Sequence, residues 1–395
     1  MSAPSSSGES IRFGMAGIGN EGASVVPFFQ LVDDVELVAA ADLRVGALDA
    51  FKEDHPGAQT FTSLKAMCES GTIDALWIAT PSQFHAEHAI IAAEAGVSVV
   101  LEKPLAVNID EAHRVVEAFE KSGARFVLHS HASDPPIKKM REIIASGRLG
   151  RPIGIHTTMH KGWLRDPRLA AELDTTQGGG VVFRQGPHQI EIVRRLGGGL
   201  VKSLRAYTGR WAPGLDTEGN FTALLQFEDG THATLVLYGY GFFNVSDLTW
   251  NIGEGGAASS GEYRQQRPRP TGPADPAAFY QSERRPGRAR SMQGAREHRQ
   301  PIYGLTIVSC ENGEMRQSPD GVYVYDDNGR EEIVCEPYLD RATEISEVRD
   351  ALREDRPSFP DAAWARASLE VILGILESGK THRDVEMKYQ VSTPV

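Results

Sequence analysis

Arg184 and His188 stand four residues apart in GGGVVFRQGPHQIEIVRRLGGG (178–199), a short helical pattern between two triple-glycine runs. At 3.6 residues per turn, that spacing places both side chains on one helix face. A guanidinium offers a fork of N–H donors to an anion, and an imidazole exchanges a proton near neutral pH. Together they read as a carboxylate holder beside an acid or base. The bland alternative is a polar, capped helix near Pro187, with His188 packed and Arg184 paired to an acid such as Glu191 or Asp174. Gln185 and Gln189 repeat the same one-turn spacing. Upstream, WLRDPRLAAELDTTQGGG adds Arg165 and Arg168, either solvated or substrate ligands. Trp163 and Trp211 either wall an aromatic substrate or simply pack. His129 and His131 alternate along a strand and mimic a metal pair, but no third ligand follows at usable spacing, so no metal site is expected.

A second constellation lies near the start. GMAGIGNEG carries Gly17-x-Gly19-x-x-Gly22 directly after an apolar strand and at the opening of a helix. The first glycine permits a tight turn, the second lets backbone approach a pyrophosphate, and the third lets helix and strand pack closely; the helix start offers N–H donors to the phosphates. Asp42 ends the next strand, 20 residues beyond Gly22, where its carboxylate can accept both ribose hydroxyls. That favours NAD, since a 2′-phosphate would meet like charge, while Arg44 two residues on keeps NADP open.

The elements that must position these groups follow two periods. From residue 11, IRFGMAGIG, VELVAAAD, ALWIAT, VSVVLEKP and ARFVLHSH read as buried strands, with helices VVPFFQLVDD, FHAEHAIIAAEAG and IDEAHRVVEAFEKSG between them. That alternation predicts a parallel, doubly wound α/β Rossmann domain over 11–133. From about residue 200, VKSLRAYTGRW, FTALLQFEDGTHATLVLYGYG, LTWNIGE, GLTIVSC and GVYVYDDNGREEIV alternate around Asp-Gly and Asn-Gly turns. They predict an α+β domain over 134–395 with a large, open-faced, mainly antiparallel sheet. Helices fill 341–395; residues 1–10 read as a tail, and 255–300 as a Gly/Pro/Arg-rich arm with nine arginines between 263 and 299. Across its 395 residues the chain has a net charge of −12, which disfavours nucleic acid or an anionic membrane as partner. Three cysteines without CxxC spacing fit a reduced compartment, and no apolar run reaches membrane-spanning length. A soluble, cytoplasmic protein acting on a small molecule is the expectation.

ATPSQFHAEHA (79–89) followed by VLEKPLA (100–106) resembles the glucose–fructose oxidoreductase/inositol dehydrogenase (Gfo/Idh/MocA) family, and the likeness extends over nearly the whole chain. The resemblance implies an NAD(P)-dependent dehydrogenase acting on CH–OH groups. Thr80, Pro81, His85, Glu102 and Lys103 would join Gly17, Gly19, Gly22, Asp42 and Arg44 at the cofactor. Lys103 would also meet the substrate hydroxyl, where an ammonium can hydrogen-bond the developing alkoxide or carbonyl oxygen, and Pro104 would hold the turn that aims it. The resemblance further implies a homodimer or homotetramer formed through the open sheet. Members commonly carry an Asp four residues before the catalytic His; here His188 and Gly186 match, and Arg184 takes the Asp position. A cation in place of a polyol-binding carboxylate suits a carboxylated substrate. With SDPPIKKMREIIASGRLGRPIG, the segment resembles the phthalate 4,5-cis-dihydrodiol dehydrogenase branch, implying oxidation of a cis-dihydrodiol to a catechol. Alternatives are a dehydrogenase of a sugar, polyol or glycoside, and a non-catalytic nicotinamide-sensing regulator; retention of Lys103 and His188 favours an enzyme.

Overall fold

The computed structural model describes residues 10–258, 270–276, 278–279 and 299–394; most of the tail and most of the arginine-rich arm expected from the sequence lie outside these residues. The first unit holds the described residues through His129 together with Leu339–Arg366, and the second holds the remainder.

Six strands build the first unit: β1 (Ile11–Ala16), β2 (Val35–Ala41), β3 (Gln59–Phe61), β4 (Ala75–Ile78), β5 (Ser98–Leu101) and β6 (Phe126–Leu128). They pair in parallel in the order β3-β2-β1-β4-β5-β6, so the strand order reverses between β1 and β4. In β4 and β5 every residue is buried, the signature of a sheet covered on both faces. Local chemistry sets the crossover helices. Asn108 caps helix Ile109–Ser122 by accepting from the Glu111 N–H at 2.9 Å, and Gly123 ends it in the left-handed region at φ 72°. The helical stretch after β1 tightens to a 3-10 turn from Val26, where Pro27 has no N–H for the α ladder.

The helix Ala342–Arg353 packs with this unit, although the sequence pattern placed all of 134–395 in the second domain. Its apolar stripe, Ala342, Ile345 and Val348, is fully buried in one core with Phe13, Phe29, Trp77, Val100 and Val127. An amphipathic stripe shows that a helix has a core face but not which sheet that face will cover.

The second unit is built on a nine-stranded sheet, ordered β14-β13-β12-β11-β7-β10-β9-β8-β15. Its strands are β7 (Pro152–His160), β8 (Val201–Gly209), β9 (Asn220–Phe227), β10 (His232–Tyr238), β11 (Leu305–Cys310), β12 (Gly313–Gln317), β13 (Gly321–Asp326), β14 (Gly329–Val334) and β15 (Val385–Glu386). Only β7 and β10 pair in parallel, so the sheet is mixed and mostly antiparallel. On β9, Phe221, Ala223, Leu225 and Phe227 point into the core while Thr222, Leu224 and Gln226 point out. The outward face includes Tyr207, 56% exposed, and Leu224, 50% exposed. LTWNIGE, which alternates like a strand, forms turns instead. Trp250 and Asn251 adopt left-handed φ of 53° and 57°, and the Thr249 hydroxyl binds the Ser246 and Ile252 carbonyls. Among the described residues no helix is long and apolar enough to cross a membrane.

Candidate active site

The glycine loop leaves β1 at the point where strand order reverses, the usual ligand crevice of an open α/β sheet. Gly17 sits at φ 81°, and a Cβ there would lie 2.8 Å from the Ala79 carbonyl oxygen. A Cβ on Gly22 would come within 1.9 Å of the Gly17 carbonyl oxygen. No side chain fits at either place, so the loop remains a bare-backbone cradle. Asp42, just beyond β2, has a largely buried side chain and accepts from the Ile18 N–H at 3.0 Å. It also accepts from the Arg44 N–H at 2.9 Å and from the Arg44 guanidinium at 3.1 Å. The cradle and carboxylate fit a dinucleotide: backbone for the pyrophosphate, Asp42 for ribose hydroxyls.

Thr80, Pro81 and Glu102-Lys103-Pro104 follow β4 and β5 on the same edge. His85 ties these two loops together. It is 1% exposed, with Nδ1 2.7 Å from the Pro104 carbonyl oxygen and Nε2 2.8 Å from the Thr80 carbonyl oxygen. A carbonyl can only accept, so both contacts are satisfied by a ring carrying two N–H groups. Thr80 also bonds His88 Nδ1 through its hydroxyl at 2.8 Å.

Glu102 is the buried centre of this loop. Burial alone would raise its pKa, but the charges of His129, Arg341, Lys103 and His85 outweigh burial and hold the carboxyl below its ordinary value. Its Oε1 has no hydrogen-bond partner among the described residues, an orphaned acceptor at the cofactor edge of the sheet. His129 Nδ1 lies 3.1 Å from Glu344 Oε1 on the returning helix. Burial would drive the proton off this imidazole, yet Glu344 and Glu102 override it and push the pKa up to about 9. His129 is grouped with the first unit and His131 with the second.

In the second unit, the opening segment forms two helices, α-helix Gly180–Arg184 and α-helix Gly186–Leu196, broken at Gln185 with φ −123° and ψ −31°. The single helix face expected from the four-residue spacing does not form. Pro187 cannot donate to the carbonyl four residues back and its ring crowds that carbonyl, so the ladder stops. Arg184 closes the first helix and lies 3.6 Å from Glu172, an acid other than Glu191 or Asp174. Arg168 shares that carboxylate at 3.5 Å and lies over the Trp163 ring at 4.5 Å. Arg165 is 8% exposed; its Nε donates to the Tyr240 carbonyl at 3.1 Å. Trp163 is 3% exposed, whereas Trp211 is 66% exposed and stacks on Tyr240. Gln189 bonds Thr157 and the Val236 carbonyl at 3.2 Å and braces the sheet.

His188, 7% exposed, stands in a ring of groups that the sequence pattern did not bring together. Its ring centroid lies 4.6 Å from that of His131 and 4.7 Å from that of Tyr303. The Tyr303 hydroxyl donates to the Gln185 carbonyl at 2.8 Å, and Lys161 Nζ donates to Gln185 Oε1 at 2.8 Å and to Glu254 at 2.6 Å. Burial, with the Glu254 charge adding to it, pushes the Tyr303 phenol well above its ordinary value, so it remains a neutral donor. The break at Gln185 is what frees its carbonyl and amide for this network. Neither Lys161 nor Tyr303, the latter 115 positions from His188, stood out in the sequence pattern.

Rossmann topology, a bare glycine cradle and a carboxylate just beyond β2 together make the arrangement of a dinucleotide-binding domain. A family model described as "Oxidoreductase family, NAD-binding Rossmann fold" matches residues 11–130, and one described as "GFO/IDH/MocA C-terminal domain" matches residues 137–240. The chain belongs to the Gfo/Idh/MocA oxidoreductase family and is an NAD-binding dehydrogenase acting on CH–OH groups. It is 33% identical over 386 residues to 1-carboxy-3-chloro-3,4-dihydroxycyclohexa-1,5-diene dehydrogenase of Comamonas testosteroni, covering 94% of this chain and 95% of that one. A solved protein of Bordetella bronchiseptica is 34% identical with a TM-score of 0.87, over 95% of this chain and 100% of that one. The WlbA dehydrogenase of Bordetella pertussis, solved with NADH and UDP-GlcNAcA, shares the fold at TM-score 0.71 and 22% identity, over 97% of this chain and 99% of that one.

The buried imidazolium at His129 makes a signed prediction for stability. Its pKa in the fold is raised above the ordinary 6.5 to about 9, so its contribution is fully present below about pH 6.5 and is lost as pH rises through about 9. Urea unfolding followed from roughly pH 6 to roughly pH 10 should show a decline on the order of a few kcal/mol. The His129→Gln variant should be less stable near neutrality and flat over that window. A wild-type slope in the variant would remove His129 as the cause.

Proposed function

We propose that the enzyme oxidises one hydroxyl of a carboxylated, aromatic-ring cis-dihydrodiol, yielding a catechol. The observation that carries this reading is the near full-length likeness to the Comamonas dehydrogenase, whose name specifies a carboxylated dihydroxycyclohexadiene. The cation at 184 supports it, because a ring carboxylate needs a positive partner. Oxidation of the diol removes a hydride from carbon and a proton from oxygen; the resulting hydroxydienone tautomerises to the catechol, and aromatisation drives the reaction forward.

When bound, NAD would be held by the Gly17–Gly22 backbone, Asp42 and the Thr80 and Glu102 loops, and would supply the hydride acceptor. Lys103 hydrogen-bonds the substrate oxygen and stabilises the charge that develops there. His188 accepts the hydroxyl proton. Arg184 takes the ring carboxylate; its 3.6 Å contact with Glu172 is at the long end of ion pairing, so a substrate carboxylate can replace it. The outward sheet face, with Tyr207 and Leu224 exposed, supports a homodimer or homotetramer assembled through that face.

Three measurements test this. Lys103→Ala should retain NAD binding by titration and lose about 10²-fold or more in kcat; near-normal turnover would remove Lys103 from the chemistry. Arg184→Ala should lose about 10- to 150-fold in kcat/KM on carboxylated dihydrodiols, equivalent to roughly 1.5–3 kcal/mol, with little change on uncharged ones. If the variant discriminates as well as wild type, a sugar, polyol or glycoside becomes the better substrate. Light scattering at micromolar concentration should give a dimer or tetramer that Tyr207→Glu with Leu224→Glu disrupts, whereas a wild-type monomer would refute the assembly.

A further inference from the structure

Asp134 occupies the N-cap of helix Pro135–Ala145, and Asp is among the strongest capping residues, yet its carboxylate makes no cap hydrogen bond. Instead Asp134 Oδ2 accepts from Nδ1 of His131 at 2.8 Å. Both side chains are nearly enclosed, at 8% and 12% exposure. The His131 ring stacks on Tyr303 at 4.9 Å and 27°, and stands T-shaped against His188 at 4.6 Å and 64°. Tyr303 closes the triangle on His188 at 4.7 Å. The turn that carries His131 is itself braced. Ser130 Oγ accepts from the Ala132 N–H at 3.1 Å and donates to Glu191 at 3.5 Å, and the Asp134 N–H returns to the His131 carbonyl at 3.2 Å.

Packing alone does not account for this. An apolar side chain at 131 would fill the space beside two rings without enclosing a carboxylate, and buried ion pairs rarely stabilise more than well-packed apolar residues of similar volume. A carboxylate that holds an imidazole by Nδ1–H, with the ring pressed on a second imidazole, is instead a way to fix one orientation and place negative charge behind a base.

We propose that Asp134 and His131 form a positioning dyad for His188, orienting its ring and offsetting the charge it gains on accepting the substrate's hydroxyl proton. The inference rests on the reading of His188 as that acceptor. During turnover the O–H bond breaks and its proton passes to His188 and then to solvent, while the hydride lost from carbon would be taken up by NAD when bound. The imidazolium formed at His188 lies in ring contact with His131 and Tyr303, with the Asp134 charge one ring further away. Among the described residues, charged groups around the cluster include Glu191 on the helix of His188, Lys161 at 5.4 Å over the Tyr303 ring, and Glu254 on Lys161. Negative charge at Asp134 favours protonated His188, so its removal should lower the pKa of that histidine.

Asp134→Asn keeps the shape, the acceptor oxygen and the capping ability, and removes only the charge. In the full-length enzyme with NAD and a carboxylated cis-dihydrodiol, kcat should fall about 10-fold with KM within about 2-fold. The acid limb of kcat/KM against pH should move down by about one unit. His131→Phe preserves the ring packing and severs the link to Asp134 but leaves its charge, so kcat should fall by a similar factor without the downward displacement of the acid limb. Wild-type kcat in either folded variant, or an unmoved acid limb in Asp134→Asn, would overturn the dyad. So would a rise in KM at unchanged kcat, which would make the pair part of substrate binding. His188→Ala separates the two layers: wild-type turnover there would overturn the acceptor reading itself, whereas an inactive His188→Ala beside an unaltered Asp134→Asn would overturn only the dyad.

Discussion

A carboxylate with almost no access to water must be paid for in charge, and Glu102 sets that demand on the first unit. Its ionised state is maintained by His129 from the end of β6, Arg341 before the returning helix, the adjacent Lys103, and His85 from the helix after β4. Remove these cations and burial would neutralise the group. The placement of Lys103 is thereby linked to pieces of chain far apart in sequence, since the groups that hold the carboxylate also fix the turn that carries the lysine. His85 adds a mechanical tie by bridging the Thr80 and Pro104 carbonyls. Placement of Leu339–Arg366 with the Rossmann sheet follows from the same demand: Arg341 and Glu344 complete the charge balance while Ala342, Ile345 and Val348 complete the core.

The second unit solves a similar problem with a broken helix. Pro187 forbids a continuous ladder, and the interruption leaves Gln185 in a conformation whose carbonyl receives Tyr303 and whose amide oxygen receives Lys161. The triple glycine before it is equally constrained. A Cβ on Gly180, at φ 82°, would strike the Thr217 hydroxyl at 2.6 Å, so backbone and neighbouring polar side chains approach only because no side chain intervenes. Both units place polar groups where burial raises the cost of error, which confines each group to one partner and one geometry.

Much of this was legible in the residues. The β/α alternation fixes a parallel sheet because strands covered on both faces read as continuous apolar runs, and the glycine loop was legible because no side chain fits at Gly17 or Gly22. Helix Ile109–Ser122 was equally readable, its Asn cap and glycine stop being local interactions. The alternating strands after residue 200 likewise specify a sheet with one wet face, although the parallel pairing of β7 with β10 is a matter of topology that no local pattern encodes.

What only the tertiary structure decided is which of several possible partners each residue meets. LTWNIGE alternates like a strand, but side-chain bonds from Thr249 and two left-handed residues fold it into turns. Arg184 and His188 have helical spacing, yet Pro187 separates them and Glu172 engages the arginine. His129 and His131 look alike in sequence and differ in surroundings, one imidazole enclosed by Glu102 and Glu344, the other held by Asp134 against His188 and Tyr303. The sequence by itself determined the class of fold and singled out the candidate site residues, because these depend on residue type and short spacing. Their partners, and so their charge and orientation, were decided by the tertiary structure, because burial and the Coulomb field at a side chain are sums over neighbours that the linear order does not reveal.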